Sequence, residues 1–368
     1  MANSIALASR VKRNNDQSKA KRKLLWKRWK KRYNLYRNRL PKPKVKRSRN
    51  ARSVSTLHHY SRVKAPAHLS LINNPEGTIS FLEKLKYNFD NEKRTFVMLR
   101  EVQTVEDDAI VLLLSIMVRF KSRGIYFNGD YPMNRGATRK LIRSGFFEHL
   151  YKDFTDADRY ALSKENGSTL HTHAYKNVDS ALSAKIIAYA SEFVWGIRQR
   201  CQGVQRTLLE LMLNTNNHAS IEQGEKHWWL SVTYDRPSKV VKFSFVDYGV
   251  GIFTSLTGKK EGTKFFGALP KLFEKFKPST NGEILQLILA GDLHKTATGQ
   301  HFRGKGLPGI KEAQDRGWIS NLHIVTNDVF ADTTAGTYRT LIKPFLGTFI
   351  YWELRPTNKH CNATNPAD

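Results

Sequence analysis

The chain has 368 residues, 40% of them hydrophobic, more than one ordinary core needs, so two or three domains are expected and a small stapled or wholly unfolded chain is excluded. Its two cysteines, Cys201 and Cys361, belong to no C-x-x-C or Cys/His cluster, which suggests neither a structural zinc site nor a disulfide framework and fits a reducing, cytoplasmic setting. The formal net charge is +29, yet residues 1–64 hold 22 Lys/Arg against one acidic residue, Asp16, while the remaining body is only mildly basic.

No membrane span is expected, because the longest apolar run, residues 109–118, is interrupted by Ser115 and is about half of what crosses a bilayer. A signal peptide is not expected either, since the amino terminus stays basic for too long. Residues 1–64 are read as an arm, disordered or locally helical until a polyanion neutralises it. Within it Leu25, Trp29, Tyr33, Tyr36 and Leu40 recur at helical spacing, with Lys and Arg on the other faces. Lys21, Arg22, Lys23, Trp26, Lys27, Arg28, Trp29, Lys30, Lys31 and Arg32 are the candidate nucleic-acid residues: cations neutralise phosphates and indoles stack on bases. RNA and DNA fit equally; an anionic membrane or an acidic protein groove also suits the pattern. Pro41 and Pro43 end the helix, and residues 44–64 read as a basic linker.

Residues 65–152 alternate short apolar runs with helical patterns, the sign of a small α/β domain. Helices are expected over 79–88, 105–121 and 134–142, and strands over 95–99 and 124–127. This order resembles the STAS domains of anti-sigma-factor antagonists. Phosphorylatable members of that family carry Ser or Thr where this chain reads Val105, Glu106, Asp107, Asp108, so the acceptor hydroxyl is missing. Asp107 and Asp108 read as helix N-terminal charges, or else as permanent phosphate mimics.

A polar linker over 153–179 precedes two helices, 180–200 and 204–219. Glu210, Asn214 and His218, spaced i, i+4, i+8, set a carboxylate, an amide and an imidazole on one face of the second helix, a pattern that also fits a solvated face. The β-like run 239–246 ends in Asp247-Tyr-Gly249-Val-Gly251-Ile252. Glycines two apart let a ligand approach the backbone, and Asp247 offers an acceptor to an amino group such as adenine's. Farther on, Arg303-Gly304-Lys305-Gly306-Leu307-Pro308-Gly309 leads into a helix over 307–316 whose amino terminus suits phosphates. Gly347-Thr348 opens a last strand, 349–354; Gly336-Thr337 is a competing candidate for the same role.

In this order the four elements resemble the GHKL ATPases, the family of gyrase-type topoisomerases, histidine and anti-sigma kinases and MutL proteins, over residues 180–356. The resemblance implies a Bergerat fold, an α/β sandwich with helices on one face of a mixed sheet, followed by a tail, 357–368. It implies that ATP and magnesium are the cofactors, that Glu210 is the general base and that Asn214 coordinates the magnesium. It further implies that Asp247 and Thr348 meet adenine, with Gly249 and Gly251 in the first glycine box and Gly304, Gly306 and Gly309 in the second, and with Ile252 and Leu307 beside them in the cofactor site. Arg303 and Lys305 would meet phosphate oxygens. His218 stands where kinase-like members often carry His, and a buried structural histidine fits there as well. Residues 253–302 resemble the ATP lid, in which Thr298 and Lys295 would touch phosphate in the closed state; the two fit a solvated loop equally well. The function expected is Mg-ATP binding with slow hydrolysis driving a conformational switch, the arm holding nucleic acid, with a homodimer or a protein effector as partner. Combined STAS-like and GHKL modules also resemble components of bacterial anti-phage systems. The alternatives are an anti-sigma-type serine/threonine kinase and a non-hydrolysing nucleic-acid adaptor that senses ATP.

Overall fold

A computed structural model describes residues 60–144, 146, 169–175, 180–218, 227–253, 276–292 and 306–359. The chain is mixed α/β, with short parallel sheets and one larger antiparallel sheet. Residues 58–368 form one compact unit. Among the described residues no helix is long and apolar enough to cross a membrane.

The first layer is a parallel sheet of β1 (Ser61–Lys64), β3 (Thr95–Met98) and β5 (Phe127–Gly129) in the order β1-β3-β5. Beside it β2 (His68–Leu69) pairs with β4 (Thr104–Val105). Helix α1 (Pro75–Asp90) starts where Asn74 accepts a hydrogen bond from Gly77 N at 3.3 Å, with Pro75 in its first turn. Helix α3 (Arg135–Arg143) is capped by Asn134, whose Oδ1 accepts from Gly136 N and Ala137 N. Helix α2 (Asp107–Ser122) has no side-chain cap bond; Asp107 and Asp108 in its first turn and Arg119 and Lys121 in its last complement the macrodipole instead.

Those two carboxylates are internal ties rather than a displayed acidic patch, being 8% and 2% exposed. Asp107 meets Lys140 at 3.3 Å and Lys242 at 3.4 Å, which links the parallel layer to the larger sheet. Asp108 accepts from Ser70 Oγ at 2.9 Å and Ile72 N at 2.8 Å. Burial pushes its pKa up to about 6, against the opposing pull of those bonds. Because the fold favours the protonated form, this group's contribution is greatest below about pH 4 and is lost as pH rises through about 6. Asp108→Asn is therefore expected to flatten the stability profile between pH 4 and 6 and to be no less stable than wild type at pH 7.5, as urea melts at the two ends would show.

The second layer is a five-stranded sheet in the order β6-β7-β8-β10-β9, from β6 (Thr169–Tyr175), β7 (His227–Asp235), β8 (Val240–Asp247), β9 (Ser320–Asp332) and β10 (Thr337–Leu354). Every neighbouring pair is antiparallel, so the mixed sheet implied by the family resemblance is corrected. Helices α4 (Ser180–Trp195), α5 (Gln202–His218), α6 (Asn281–Leu289) and α7 (Gly306–Asp315) share a core with one face, through Trp228, Leu230, Phe243, Phe245, Ile350 and Trp352. The opposite face is covered too: Trp229, Val246, Val325, Phe349 and Tyr351 join the core of α1 and α2. A sheet buried on both faces has apolar residues at successive positions, which is why β8 reads as a continuous run. On the α4–α7 face Phe243 lies opposite Trp352, their rings stacked at 5.0 Å, an arrangement worth roughly 0.5–1.5 kcal/mol beyond burial.

Two segments read as connections are strands. β1 lies inside the region assigned to the arm, and β6, inside the region assigned to the linker, forms one edge of the large sheet. Cys201, buried just before α5, is disulfide-bonded, although the cysteine pattern suggests no disulfide framework. The arm residues from Lys21 to Arg32 lie outside the described residues, as do Thr298, Arg303, Gly304 and Lys305.

Candidate functional site

Register brings the candidate residues to one end of the large sheet. Asp247, the last residue of β8, lies opposite Thr348 of β10, and Thr348 lies opposite Thr326 of β9. Period-two alternation puts all three on the face of Phe245, Ile350 and Ile324, the one packed by α4–α7. A short polar row thus ends an otherwise apolar surface. The hydroxyls of Thr326 and Thr348 are 3.3 Å apart, and Thr326 Oγ1 donates to Gly347 O at 3.1 Å. Thr337, the competing candidate, lies at the start of β10 opposite Asp332, eleven residues before Thr348.

The chain leaving β8 folds over this row. Gly249 N donates to Asp247 Oδ1 at 2.9 Å, Ile252 N to Thr326 Oγ1 at 3.0 Å and Phe253 N to Asn327 Oδ1 at 3.2 Å. Asn327 Nδ2 donates back to Val250 O at 3.1 Å. Gly251 has φ +79°, and a Cβ there would sit 2.3 Å from Asn327 Oδ1. Gly347, at φ +110°, brings Asp247 O to 2.0 Å from where its Cβ would be, so the β8–β10 contact beside the row requires glycine.

Glu210 lies on α5, partly exposed, with Arg206 one turn back at 3.8 Å. Asn214 and His218 belong to the same unbroken helix, so the i, i+4, i+8 series holds along its backbone; the side chains of residues 214–218 lie outside the described set. α5 packs on α7, whose first residues, Gly306 and Leu307, carry the second glycine box. Gly203 fixes that seating, since a Cβ on it would fall 2.1 Å from the Trp318 ring just past α7. The helix holding the candidate base and the helix that begins in the second glycine box are therefore packed together on the face of the sheet that carries Asp247.

Three parts of this arrangement escape a sequence reading. Thr326 and Asn327 sit inside a long strand with nothing to mark them except Asn327 itself, whose φ of +48° suits an asparagine at the register shift between β9 and β10. Tyr248 is the third. Its neighbour Asp247 faces α4–α7, whereas its own hydroxyl bonds Ser115 Oγ of α2 at 2.7 Å on the other side of the sheet. Burial pushes its pKa up to about 12, so the phenol stays protonated. Arg119 of α2 stacks over the Tyr248 ring at 5.3 Å. Behind the glycine loop, Tyr248, Gly249 and Val250 line a cavity of about 330 Å³ closed by α1, α2 and residues 344–346. Among the described residues no group of three His, Cys, Asp or Glu forms a metal-binding cluster.

No protein-family model matches the sequence, and no curated protein matches it.

Proposed function

We propose that the chain binds Mg-ATP at the end of the large sheet and uses slow hydrolysis to switch the packing between that sheet and α1–α2, with the basic arm holding nucleic acid. The observation that carries this is the polar row of Asp247, Thr348 and Thr326, capped by the 248–253 loop on the sheet face that α4–α7 cover. Asp247 and Thr348 offer a carboxylate and a hydroxyl to the amino and ring nitrogens of a purine. The N-terminus of α7, with Arg303, Gly304 and Lys305 just before it, suits phosphate oxygens. Asn214 would hold magnesium, which in nucleotide sites takes few protein ligands and keeps several waters and phosphate oxygens. Bound Mg-ATP would supply the activated phosphoryl group; Glu210 would take the proton from the attacking water.

The switch reading rests on adjacency. The residue after the adenine reader is tied to α2, so a shift of the glycine loop moves the Ser115–Tyr248 contact on the far face. ATP places the protein in a compartment such as the cytoplasm, where the Cys201 disulfide is an uncommon feature. Dimerisation and a defence-system effector are carried from the family resemblance as the readouts of the switch.

Asp247→Asn tests the assignment. Its amide oxygen can still accept from Gly249 N, while the charge that favours an amino group is lost. ATP affinity is expected to fall about tenfold, the size of one hydrogen bond to a charged group, with GTP affinity unaffected. Unchanged ATP affinity in calorimetric titration would remove Asp247 from the site.

A further inference from the structure

The β1-β3-β5 sheet has one buried face and one open face. Val63, Thr95, Val97 and Phe127 point into the core of α1 and α2. The even-numbered residues point the other way: Arg62 lies opposite Phe96, Lys64 opposite Met98, and Phe96 opposite Asn128. Arg62, Lys64, Arg94, Tyr126 and Asn128 are exposed and Tyr60 and Phe96 half-buried, so no described helix closes this face.

Its composition is unlike a solvated sheet surface. Tyr60 meets Phe96 edge-on at 6.5 Å, and Asn128 Nδ2 donates to the Tyr60 hydroxyl at 3.0 Å, which fixes that ring over the sheet. Arg94 stacks over the Tyr126 ring at 4.9 Å, leaving Tyr126 54% exposed. The nearby acids are already engaged: Glu101 pairs with Lys64, and Asp130 accepts from the backbone of Leu99 and Arg100. Exposed and half-buried aromatic rings on a pleated surface, bordered by guanidinium groups, are what unpaired bases and their phosphates require.

We propose that this open face is a stacking platform for single-stranded nucleic acid. The proposal rests on the nucleic-acid reading of the basic arm and adds the part that faces bases. The chain leads straight from the arm into Tyr60 and β1, and residues 1–59 hold 20 Lys/Arg against Asp16. Exposed Arg62 and Arg94 beside the rings carry charge that a polyanion neutralises. A duplex hides its base faces and would use only the charges. A single strand uses the rings as well, and that difference separates the two.

The test uses the full-length protein, fluorescently labelled 12-mer oligo(dT), the corresponding dA·dT duplex, and anionic phosphatidylserine vesicles. Tyr126→Ala removes an exposed ring and is expected to weaken oligo(dT) binding about tenfold, the effect of one lost base stack, with duplex binding within about twofold of wild type. Tyr126→Phe keeps the ring and should keep wild-type affinity, which separates lost stacking from misfolding. Bromodeoxyuridine cross-links are expected on peptides containing Tyr60, Phe96 or Tyr126. Cross-links confined to residues 1–59, together with unchanged oligo(dT) binding by Tyr126→Ala, would overturn the platform and leave the arm reading intact. Failure of wild type to bind either nucleic acid would overturn both. Vesicle binding that falls in Tyr126→Ala while oligo(dT) binding does not would assign the face to a membrane surface instead.

Discussion

Glu210→Ala is expected to lower Mg-dependent ATP turnover by at least ~100-fold, the lower end of what a positioned general base contributes, with ATP affinity within about threefold of wild type. The change should cost little stability. The pair it removes, Arg206–Glu210, is a 3.8 Å contact with a half-exposed arginine, worth at most about 0.5 kcal/mol, and alanine is the better helix former in the middle of α5. A loss of turnover with unchanged melting behaviour would therefore report chemistry. Glu210→Gln, which keeps the shape and cannot accept the proton, should behave the same way. Comparable turnover in wild type and both variants would place the base elsewhere, and parallel loss of binding would mean that Glu210 contacts the nucleotide.

The second large effect is expected at Gly347. An alanine Cβ there falls 2.0 Å from Asp247 O and 2.9 Å from Tyr248 Cα, on a backbone at φ +110° that side chains avoid. β10 can relieve that only by moving away from β8 at the pair Asp247–Thr348. Gly347→Ala should therefore cost about 3 kcal/mol or more and abolish nucleotide binding in whatever fraction remains folded. Gly336→Ala is the natural comparison. Its Cβ meets no neighbouring atom and its φ is +67°, so the cost should stay near 1–2 kcal/mol with nucleotide binding intact. Thermal melts and nucleotide titrations on the two variants would decide which Gly-Thr pair belongs to the site; the reverse order of effects would favour Gly336-Thr337.

Much of this arrangement was legible in the residues. The apolar run ending at Asp247 marked a strand, and the strand does end there. The period of residues 204–219 marked the helix that carries Glu210, found at Gln202–His218. What escaped was tertiary. β10 was expected over 349–354 but begins at Thr337, because Pro344, Gly347 and exposed Ile342 and Leu346 break its alternation where it bends past β9. β1 hid among basic residues because only Val63 of its four is buried: Arg62 and Lys64 face outward, and Ser61 is a polar residue bonded to Asn88 of α1. Burial of the large sheet on its second face is not coded by any motif: it follows from Trp229, Phe349 and Tyr351 meeting α1 and α2, which lie far away in sequence.

The central claim, a nucleotide site at the end of the large sheet, is tested most directly by calorimetric titration of ATP into the purified full-length protein with and without magnesium. One site per chain, strengthened by magnesium and weakened by Asp247→Asn, is the result expected. No heat of binding at millimolar ATP, in either condition, would contradict it.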